Sequence, residues 1–391
     1  MRESSKNENC TPCRKQPSPW DLISLQNNKS RHQFLKRKGD QVQVDIPDDC
    51  LKHCSEAQSN ELCPFVLGHT PMTPNIYSRR EFLGSAAALS ALTISGCATD
   101  GHGGRPFFQA HDLAIGLQLY TIDAEAQADL EGTLKAVAGM GIRAVELAGF
   151  FGRTPDALRG ILDRAGLACP SAHIPARPLG DALEGDLAKV VADAHALGLK
   201  YIVVPIYRMP ERYTAPNAGE EFRSFLIRVG NAMTLDDWKA HADFLNQKAA
   251  ILKKEGLALG YHNHNVEFVR HGSKTALDIL LENTDPNLVC FEMDVGWVAA
   301  AGGDPFELLR RHHGRFRLMH VKDIKASTVS NTLLNQDPTE VGSGHLDWKA
   351  ILPAAYRSGV RHFFIEQEPP FPGTRLDSVR KSCEYLKQLV A

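Results

Sequence analysis

The chain has 391 residues, a formal net charge of −2 and nine cysteines. A near-neutral charge provides no basic surface for nucleic acid or for an anionic membrane. The part after Cys97 is long enough for one large domain with a well-buried core. Its three cysteines, Cys169, Cys290 and Cys383, are scattered in apolar or helical surroundings, which predicts buried thiols and not a disulfide framework.

Residues 1–71 are polar and lack a sustained apolar period, so no packed core is predicted there. They hold five of the nine cysteines, including a CxxC at Cys10–Cys13 and a CxxxC at Cys50–Cys54. A small zinc module is one interpretation of that spacing, although the usual aromatic and histidine framing is missing. We favour a disordered leader or a start codon assigned too early, with translation beginning at Met72.

Residues 72–97 have the pattern of an export signal, in which charged residues are followed by an apolar run and then by small residues at a cleavage site. The pair Arg79-Arg80 precedes an uncharged run, Gly84 to Gly96, that is too short to span a bilayer. Paired arginines before such a run are typical of twin-arginine export. The run ends at Ile94-Ser95-Gly96-Cys97, which resembles the lipobox of bacterial lipoproteins. We expect recognition by the twin-arginine machinery, a lipid anchor at Cys97 and a periplasmic location; a buried helix that begins with two arginines is the alternative.

A linker is expected over residues 98–111, and from residue 112 to 391 short apolar runs alternate with amphipathic stretches. Such alternation predicts parallel strands joined by helices. Eight strands favour a closed (β/α)8 arrangement, the α/β TIM barrel. The predicted strands are Ala114–Tyr120, Ala144–Leu147, Cys169–Ile174, Tyr201–Pro205, Leu259–Asn263, Val289–Met293, Leu318–Val321 and Phe363–Glu366.

Helical spacing is clearest over Asp129–Ala138, Pro155–Arg164 and Leu235–Glu255. A long insertion, Arg208–Arg223, follows the fourth predicted strand. Because long loops on barrels are usually functional, we interpret it as a lid or rim loop.

The carboxyl ends of the predicted strands are rich in carboxylates and imidazoles. Chemistry in such barrels gathers at these ends, and alternate residues of a strand share a face, so His262 and His264 point the same way. Converging groups of this kind would repel and desolvate one another unless a divalent cation lay between them. A polar residue that merely caps the end of a strand would explain any one of these groups, but it does not explain all of them together. The set is Glu146, His173, His262, His264, Asp294, His320, Lys322, Asp323, Glu366 and Glu368.

These residues lie in stretches that resemble the sugar phosphate isomerase/epimerase family, which has a xylose-isomerase-like barrel and includes inosose dehydratase and the ketose 3-epimerases. The resemblance spans the chain from about residue 112 onward. It implies a sugar isomerase or epimerase without identifying one substrate. The stretches are LGYHNHNVEF (259–268), VCFEMDVGWVAAAGGDP (289–305), LMHVKDI (318–324), EVGSGHLDW (340–348) and FFIEQE (363–368).

The resemblance also implies a single divalent cation held by strands five to eight. Strand five departs from the family, because His262 stands where the epimerases carry a glutamate; His264 or Glu146 is the alternative fourth ligand. Mn2+ is favoured, and mixed oxygen and nitrogen ligands leave Mg2+, Zn2+, Co2+ and Fe2+ open. The remaining ligands match the family: Asp294, His320 and Glu366.

Such an ion would draw electron density from a carbonyl and stabilise the enediolate formed when a base removes the neighbouring proton. Returning the proton gives epimerisation or isomerisation, whereas expelling a β-substituent gives a lyase or dehydratase. A glycine loop around Glu340 is expected to approach the sugar. Proton transfer is assigned to Glu146, His264, Glu366 and Lys322, and substrate binding to His173, Trp297, Glu340 and Glu368.

The expected periplasmic location narrows the range of possible substrates. Phosphorylated sugars are scarce outside the cytoplasmic membrane, and no glycine-rich phosphate cradle is visible, so a non-phosphorylated keto-sugar or 3-keto-glycoside is predicted. A barrel that has lost catalysis and binds carbohydrate as a lipoprotein is the alternative, supported by the altered ligand on strand five. A metal nuclease resembling endonuclease IV is a third option, which the charge and the export signal disfavour.

Overall fold

The structure is a computed structural model that describes residues 104–180 and 182–391, so the interpretations of residues 1–97 lie outside the described residues. Eight parallel strands close into a barrel in which each strand pairs with the next along the chain and the eighth returns to the first. This confirms the predicted α/β (β/α)8 TIM barrel. The strands are β1 Ile115–Gln118, β2 Ala144–Leu147, β3 Ala168–His173, β4 Tyr201–Val204, β5 Ala258–His262, β6 Val289–Asp294, β7 Phe316–Val321 and β8 His362–Ile365.

Helices surround the barrel and begin at ordinary caps; for example, Thr154 accepts the N–H of Ala157 ahead of Pro155. Within the described part of the chain, none of the helices is both long and apolar enough to cross a bilayer. The helices are α1 Phe107–Ala110, α2 Asp123–Ala128, α3 Leu130–Gly139, α4 Pro155–Ala165, α5 Leu187–Leu197, α6 Phe222–Ala232, α7 Leu235–Lys254, α8 Ala276–Asn283, α9 Val295–Ala300, α10 Pro305–Arg311, α11 Trp348–Ser358 and α12 Arg375–Gln388.

Two boundaries near the first strand differ from the prediction. The structure ends β1 at Gln118 and continues as a 3-10 helix, Leu119–Ile122, because the Gln118 side chain accepts the N–H of Tyr120 at 3.1 Å. The segment expected to be a linker contains α1, whose Phe107 and Phe108 are buried and pack edge to face on Phe363. The folded domain therefore begins before residue 112.

Apolar side chains fill the barrel interior toward the amino ends of the strands. They form a separate cluster, here called the apolar plug: Ala144, Val203, Leu318 and Phe364. The fit is close at β1, where a side chain on Gly116 would come within 2.4 Å of the Phe364 ring. Because alternate residues share a face, the next inward position on β2, β7 and β8 falls on Glu146, His320 and Glu366. On these three strands the interior thus changes from apolar to polar between one inward residue and the next.

Candidate active site

A cavity of about 150 Å³ lies at the carboxyl ends of the strands. Its lining includes polar side chains, among them His173, His262, His264, Trp297, Glu366 and Glu368. It also includes apolar side chains, among them Leu179, Pro205, Ile206, Phe222, Leu226 and Leu334. A bound molecule would therefore meet both ionisable groups and hydrocarbon.

Three of the residues assigned to a metal converge beside this cavity. The carboxylates of Asp294 and Glu366 and the imidazole of His320 offer ligand atoms that all lie within 4.8 Å of one another, and all three residues are buried. Nδ1 of His320 is 2.9 Å from Oε2 of Glu366 and 3.7 Å from Oδ2 of Asp294. Nε2 of His262 is 4.0 Å from that same Oδ2. These residues could hold a cation, with His262 next nearest.

The start of α9 fixes the orientation of Asp294. Its Oδ1 accepts the N–H of Trp297 at 2.8 Å and so caps the helix. The N–H of Asp294 itself donates to Oδ1 of Asn263 at 3.2 Å. With one carboxylate oxygen committed to the cap, Oδ2 is left facing His320.

Lys322 places an ammonium group among the carboxylates of this site. Its Nζ lies 2.8 Å from Oδ2 of Asp294, 2.7 Å from Oε2 of Glu366 and 3.0 Å from Oε1 of Glu368. Burial opposes a charged lysine, but these carboxylates outweigh it and raise the pKa of Lys322 well above its ordinary value. Oδ2 of Asp294 still accepts no hydrogen bond of good geometry. The position therefore suits a cation, whether an ammonium group or a metal ion.

Beneath the cavity lies a layer of buried carboxylates and imidazoles, here called the polar floor: Glu146, His173, His262, Glu292 and His320. Oε1 of Glu146 is 2.7 Å from Nε2 of His320, 3.2 Å from Nε2 of His173 and 2.7 Å from Nε2 of Gln118. Glu146 is not part of the cavity wall. The structure thus places this assigned proton-transfer residue behind His173.

The surroundings of His173 and of His264 shift the pKa values of these two residues in opposite directions. Burial would lower the pKa of His173, but Glu146 and Glu292 outweigh it and raise that pKa to about 9. Burial, aided by the nearby Lys322, lowers the pKa of His264 to about 3. His173 is accordingly cationic and His264 neutral at neutral pH, although both face the same cavity.

Glu366 is an ionised carboxylate in this environment. Burial alone would raise its pKa, but Lys322 and His320 outweigh that effect and hold the pKa of Glu366 well below its ordinary value. Glu366 lines the cavity, as does Glu368. The site therefore combines a cationic imidazole, a neutral imidazole and a carboxylate around one space.

Sequence reasoning missed two members of this network, Gln118 and Glu292. Both lie inside strands, one inward position before Tyr120 and Asp294, whereas the predicted site residues lie at or just beyond the strand ends. In a strand every second residue faces the same side, which is why His262 and His264 were paired. The same rule identifies Gln118 and Glu292 as inward-facing residues.

A buried glutamate supports the segment that follows β5. Glu267 accepts the hydroxyl of Tyr261 at 2.6 Å and the N–H of His264 at 2.8 Å. Burial raises the pKa of Glu267 to about 7, against the opposing effect of these hydrogen bonds. The ring of His264 then lies 4.8 Å from that of His262 and 5.5 Å from that of Trp297, measured between centroids. Glu267 thereby orients a residue of the cavity wall.

The glycine loop after β7 packs on a carboxylate of the chain itself. Oδ2 of Asp323 accepts N–H groups from Gly342 at 2.9 Å, Gly344 at 3.2 Å and the Trp348 indole at 2.9 Å. A side chain on Gly344 would come within 2.0 Å of Oδ1 of Asp323. Glu340 accepts hydrogen bonds from Ser378 and Lys381 of α12 and does not line the cavity. The glycines and Glu340 thus have a packing role where a sugar contact was expected.

The insertion after β4 contributes its end to the cavity. Glu221, Phe222 and Arg223 lie in the wall, and the Arg223 guanidinium donates to the carbonyl of Leu334 in the segment after β7. The earlier part of the insertion is tied elsewhere, since Arg212 pairs with the N-terminal turn of α7. Only residues 221–223 of the expected lid therefore face the site.

Comparison with known proteins supports the same assignment of the fold. A family described as the xylose isomerase-like TIM barrel matches residues 134–389. An inosose dehydratase from Lactiplantibacillus plantarum is 25% identical over 273 residues, which cover 66% of this chain and 88% of that protein. One from Geobacillus kaustophilus is 30% identical over 196 residues, which cover 49% of this chain and 61% of that protein.

Solved structures resemble the chain over its folded part. A sugar phosphate isomerase/epimerase from Parabacteroides distasonis has 25% identity and a TM-score of 0.57, covering 70% of this chain and 93% of that one. An L-ribulose 3-epimerase has 14% identity and a TM-score of 0.51, covering 70% of this chain and 93% of that one, and so shares the fold.

Proposed function

The chain belongs to the xylose isomerase-like TIM barrel family, and we propose that it is a divalent-metal-dependent sugar isomerase, epimerase or lyase. The observation that carries the proposal is the buried group of Asp294, His320 and Glu366 beside the cavity. The names of the relatives, inosose dehydratase and sugar phosphate isomerase/epimerase, support a carbohydrate-modifying enzyme. The substrate we propose is non-phosphorylated, a keto-sugar or 3-keto-glycoside.

The residues fit one cation with oxygen and nitrogen ligands, for which we propose Mn2+. Asp294, His320 and Glu366 would hold it, and Nε2 of His262 is the nearest further donor atom. Carboxylates outnumber cationic groups in the site, so a divalent charge would also relieve their repulsion. When bound, the ion would polarise a substrate carbonyl and stabilise charge that develops on its oxygen.

Side chains of the protein would move the protons. Glu366 is a carboxylate in the cavity wall, which suits a base that takes the proton beside the ketone and leaves an enediolate. His173 is cationic in the same wall, which suits a donor to the developing oxyanion. Groups whose environments push their pKa values apart are typical of an acid and a base that act together. Lys322 would stabilise the same charge.

Two residues that line the cavity, His264 and Trp297, each have a polar atom that could serve a hydroxylated substrate. Within the described residues, Nδ1 of His264 and Nε1 of Trp297 are buried without a hydrogen-bond partner. Buried polar groups in proteins normally have one. Sugar hydroxyls would supply an O–H donor to the imidazole and an acceptor to the indole.

The first test is the metal content of the full-length protein by elemental analysis. We expect one Mn2+ or similar ion per chain in the wild type, and its loss in Asp294→Ala and His320→Ala. Asp337→Ala and His313→Ala, which change exposed residues of the same types, should keep it. If the wild type has no metal and takes up neither Mn2+ nor Zn2+, the proposal is wrong.

The second candidate is a carbohydrate-binding protein without catalysis. Lys322 favours it, because an ammonium group of the chain already lies between Asp294 and Glu366. The two functions differ in the exchange of the proton beside a substrate ketone with deuterated water. Exchange that is lost in Glu366→Gln supports the enzyme, whereas saturable binding without exchange supports the binding protein.

We also propose export by the twin-arginine route with a lipid anchor at Cys97, on the strength of the sequence motif. Mass spectrometry of the protein from its native membrane should find an acylated N-terminal Cys97. Replacing Arg79-Arg80 by Lys-Lys should retain the protein in the cytoplasm; export at the wild-type level would contradict the twin-arginine route.

A further inference from the structure

Glu292 contacts all three imidazoles of the polar floor. Its Oε2 lies 3.0 Å from Nε2 of His173, 3.1 Å from Nδ1 of His262 and 3.1 Å from Nε2 of His320. The side chain is completely buried, and Oε1 has no hydrogen-bond partner among the described residues. One carboxylate oxygen thus contacts three imidazoles.

Strand geometry produces this arrangement. Glu292 and Asp294 are two residues apart on β6 and face the barrel interior together. The register pairs Glu292 with His262 on β5 and Asp294 with His320 on β7. Neighbouring strands therefore bring both imidazoles against the same carboxylates, and no loop is involved.

These contacts decide which imidazole nitrogens carry hydrogen. A nitrogen that faces a carboxylate oxygen at 3.1 Å must donate, because an ionised carboxylate only accepts. Nδ1 of His262 is then the N–H, and its Nε2 presents a lone pair toward Oδ2 of Asp294 at 4.0 Å. Nε2 of His320 donates to Oε1 of Glu146 at 2.7 Å and Nδ1 of His320 faces Oε2 of Glu366 at 2.9 Å, so Glu292 does not select a tautomer of His320.

We propose that Glu292 is a positioning residue, which holds His262 in its Nδ1–H form so that Nε2 of His262 faces Asp294. Carboxylates that accept the second N–H of a ligating histidine fix its tautomer and ring orientation. The role as a support for ligands depends on the metal centre proposed above. The tautomer of His262 does not, because it follows from contacts within the protein.

The test begins with the metal-free full-length protein labelled with 15N histidine. Long-range 1H–15N correlation spectra distinguish the two neutral tautomers, and His262→Gln identifies the His262 signals. We expect the Nδ1–H form in the wild type and its loss in Glu292→Met, which keeps the side-chain length but removes the acceptor. Glu292→Gln retains one acceptor oxygen and should restore the Nδ1–H form. Glu282→Gln is the exposed control.

A Mn2+ titration of the same proteins tests the consequence for binding. Loss of such a support typically weakens metal affinity by about 10- to 100-fold. We expect that loss in Glu292→Met, partial recovery in Glu292→Gln and no change in Glu282→Gln. If Glu292→Met does not fold, the wild type and Glu292→Gln still report the tautomer and the affinity.

Different outcomes separate the two proposals. Nε2–H on His262 in the wild type would overturn the role of Glu292, whatever the metal content. Two bound Mn2+ per chain, the second lost in Glu292→Gln, would also overturn it, since Glu292 would then be a ligand. An Nδ1–H form that depends on Glu292, in a protein that binds no metal, would support the tautomer assignment and overturn the metal centre.

Discussion

The apolar plug and the polar floor occupy successive inward positions on β2 and β7, yet they are held together by different forces. Leu318 and Phe364 of the plug lie two residues before His320 and Glu366. Burial of the plug is favourable wherever hydrocarbon contacts hydrocarbon. Burial of ionisable groups is costly unless each charge has a partner. Stability should therefore come from the plug, while the polar end depends on pH and on cations.

The largest effect is expected from breaking the plug. Phe364→Ala should lower the free energy of unfolding by about 4 kcal/mol, because it removes a buried ring and leaves a cavity. Denaturant unfolding measures the change, with the half-exposed Phe306→Ala as control. A cost that varied with pH or with added Mn2+ would contradict the contrast between the two zones.

A somewhat smaller loss is expected from removing the cation of the polar end. Lys322→Met should destabilise the metal-free protein by roughly 3 kcal/mol, since Asp294 and Glu366 lose their ammonium partner. Added Mn2+ should recover part of the loss by restoring a positive charge between them. Lys274→Met, which removes an exposed ion pair with Glu282, is the control. Equal losses with and without Mn2+ would argue against a cation site there.

The next largest effect on the unfolding free energy is expected at Asp323, which holds the loop after β7. Asp323→Asn should cost roughly 2 to 3 kcal/mol, because an amide NH2 group cannot accept the N–H groups now directed at the carboxylate. Asp337→Asn, at an exposed pair with Lys325, should change the unfolding free energy little. A native-like stability of Asp323→Asn would show that the loop after β7 does not need this carboxylate.

The smallest effect is a pH dependence at Glu267. A carboxyl with a folded pKa of about 7 binds its proton more tightly when folded than when unfolded. Its contribution to stability is present below the unfolded pKa and is lost as the pH rises toward 7. Glu267→Gln cannot titrate, so relative to the wild type its stability should rise by about 2 kcal/mol between about pH 5 and pH 7. Parallel curves for the two proteins would contradict the assignment, and Glu282→Gln is the control.

Most of the fold was predictable because its signals are local. Apolar runs of strand length and helices with caps such as Thr154 and Pro155 identify the elements without tertiary information. Tyr120 was predicted as part of β1 but lies in a 3-10 helix. Its backbone N–H donates to the side chain of Gln118, and this contact, which residue propensities do not reveal, ends the strand. The contacts of Glu340 were not predictable for a related reason, since a motif does not show on which side of the loop its carboxylate lies.

The sequence by itself determined the barrel and which residue types gather at the strand ends, because a period of two places alternate side chains on one face. Only the tertiary structure decided their contacts. Strand register brought Glu292 against His262 and Asp294 against His320, and the cap of α9 turned one oxygen of Asp294 toward Lys322. Such contacts join residues far apart in the chain, so no local pattern encodes them.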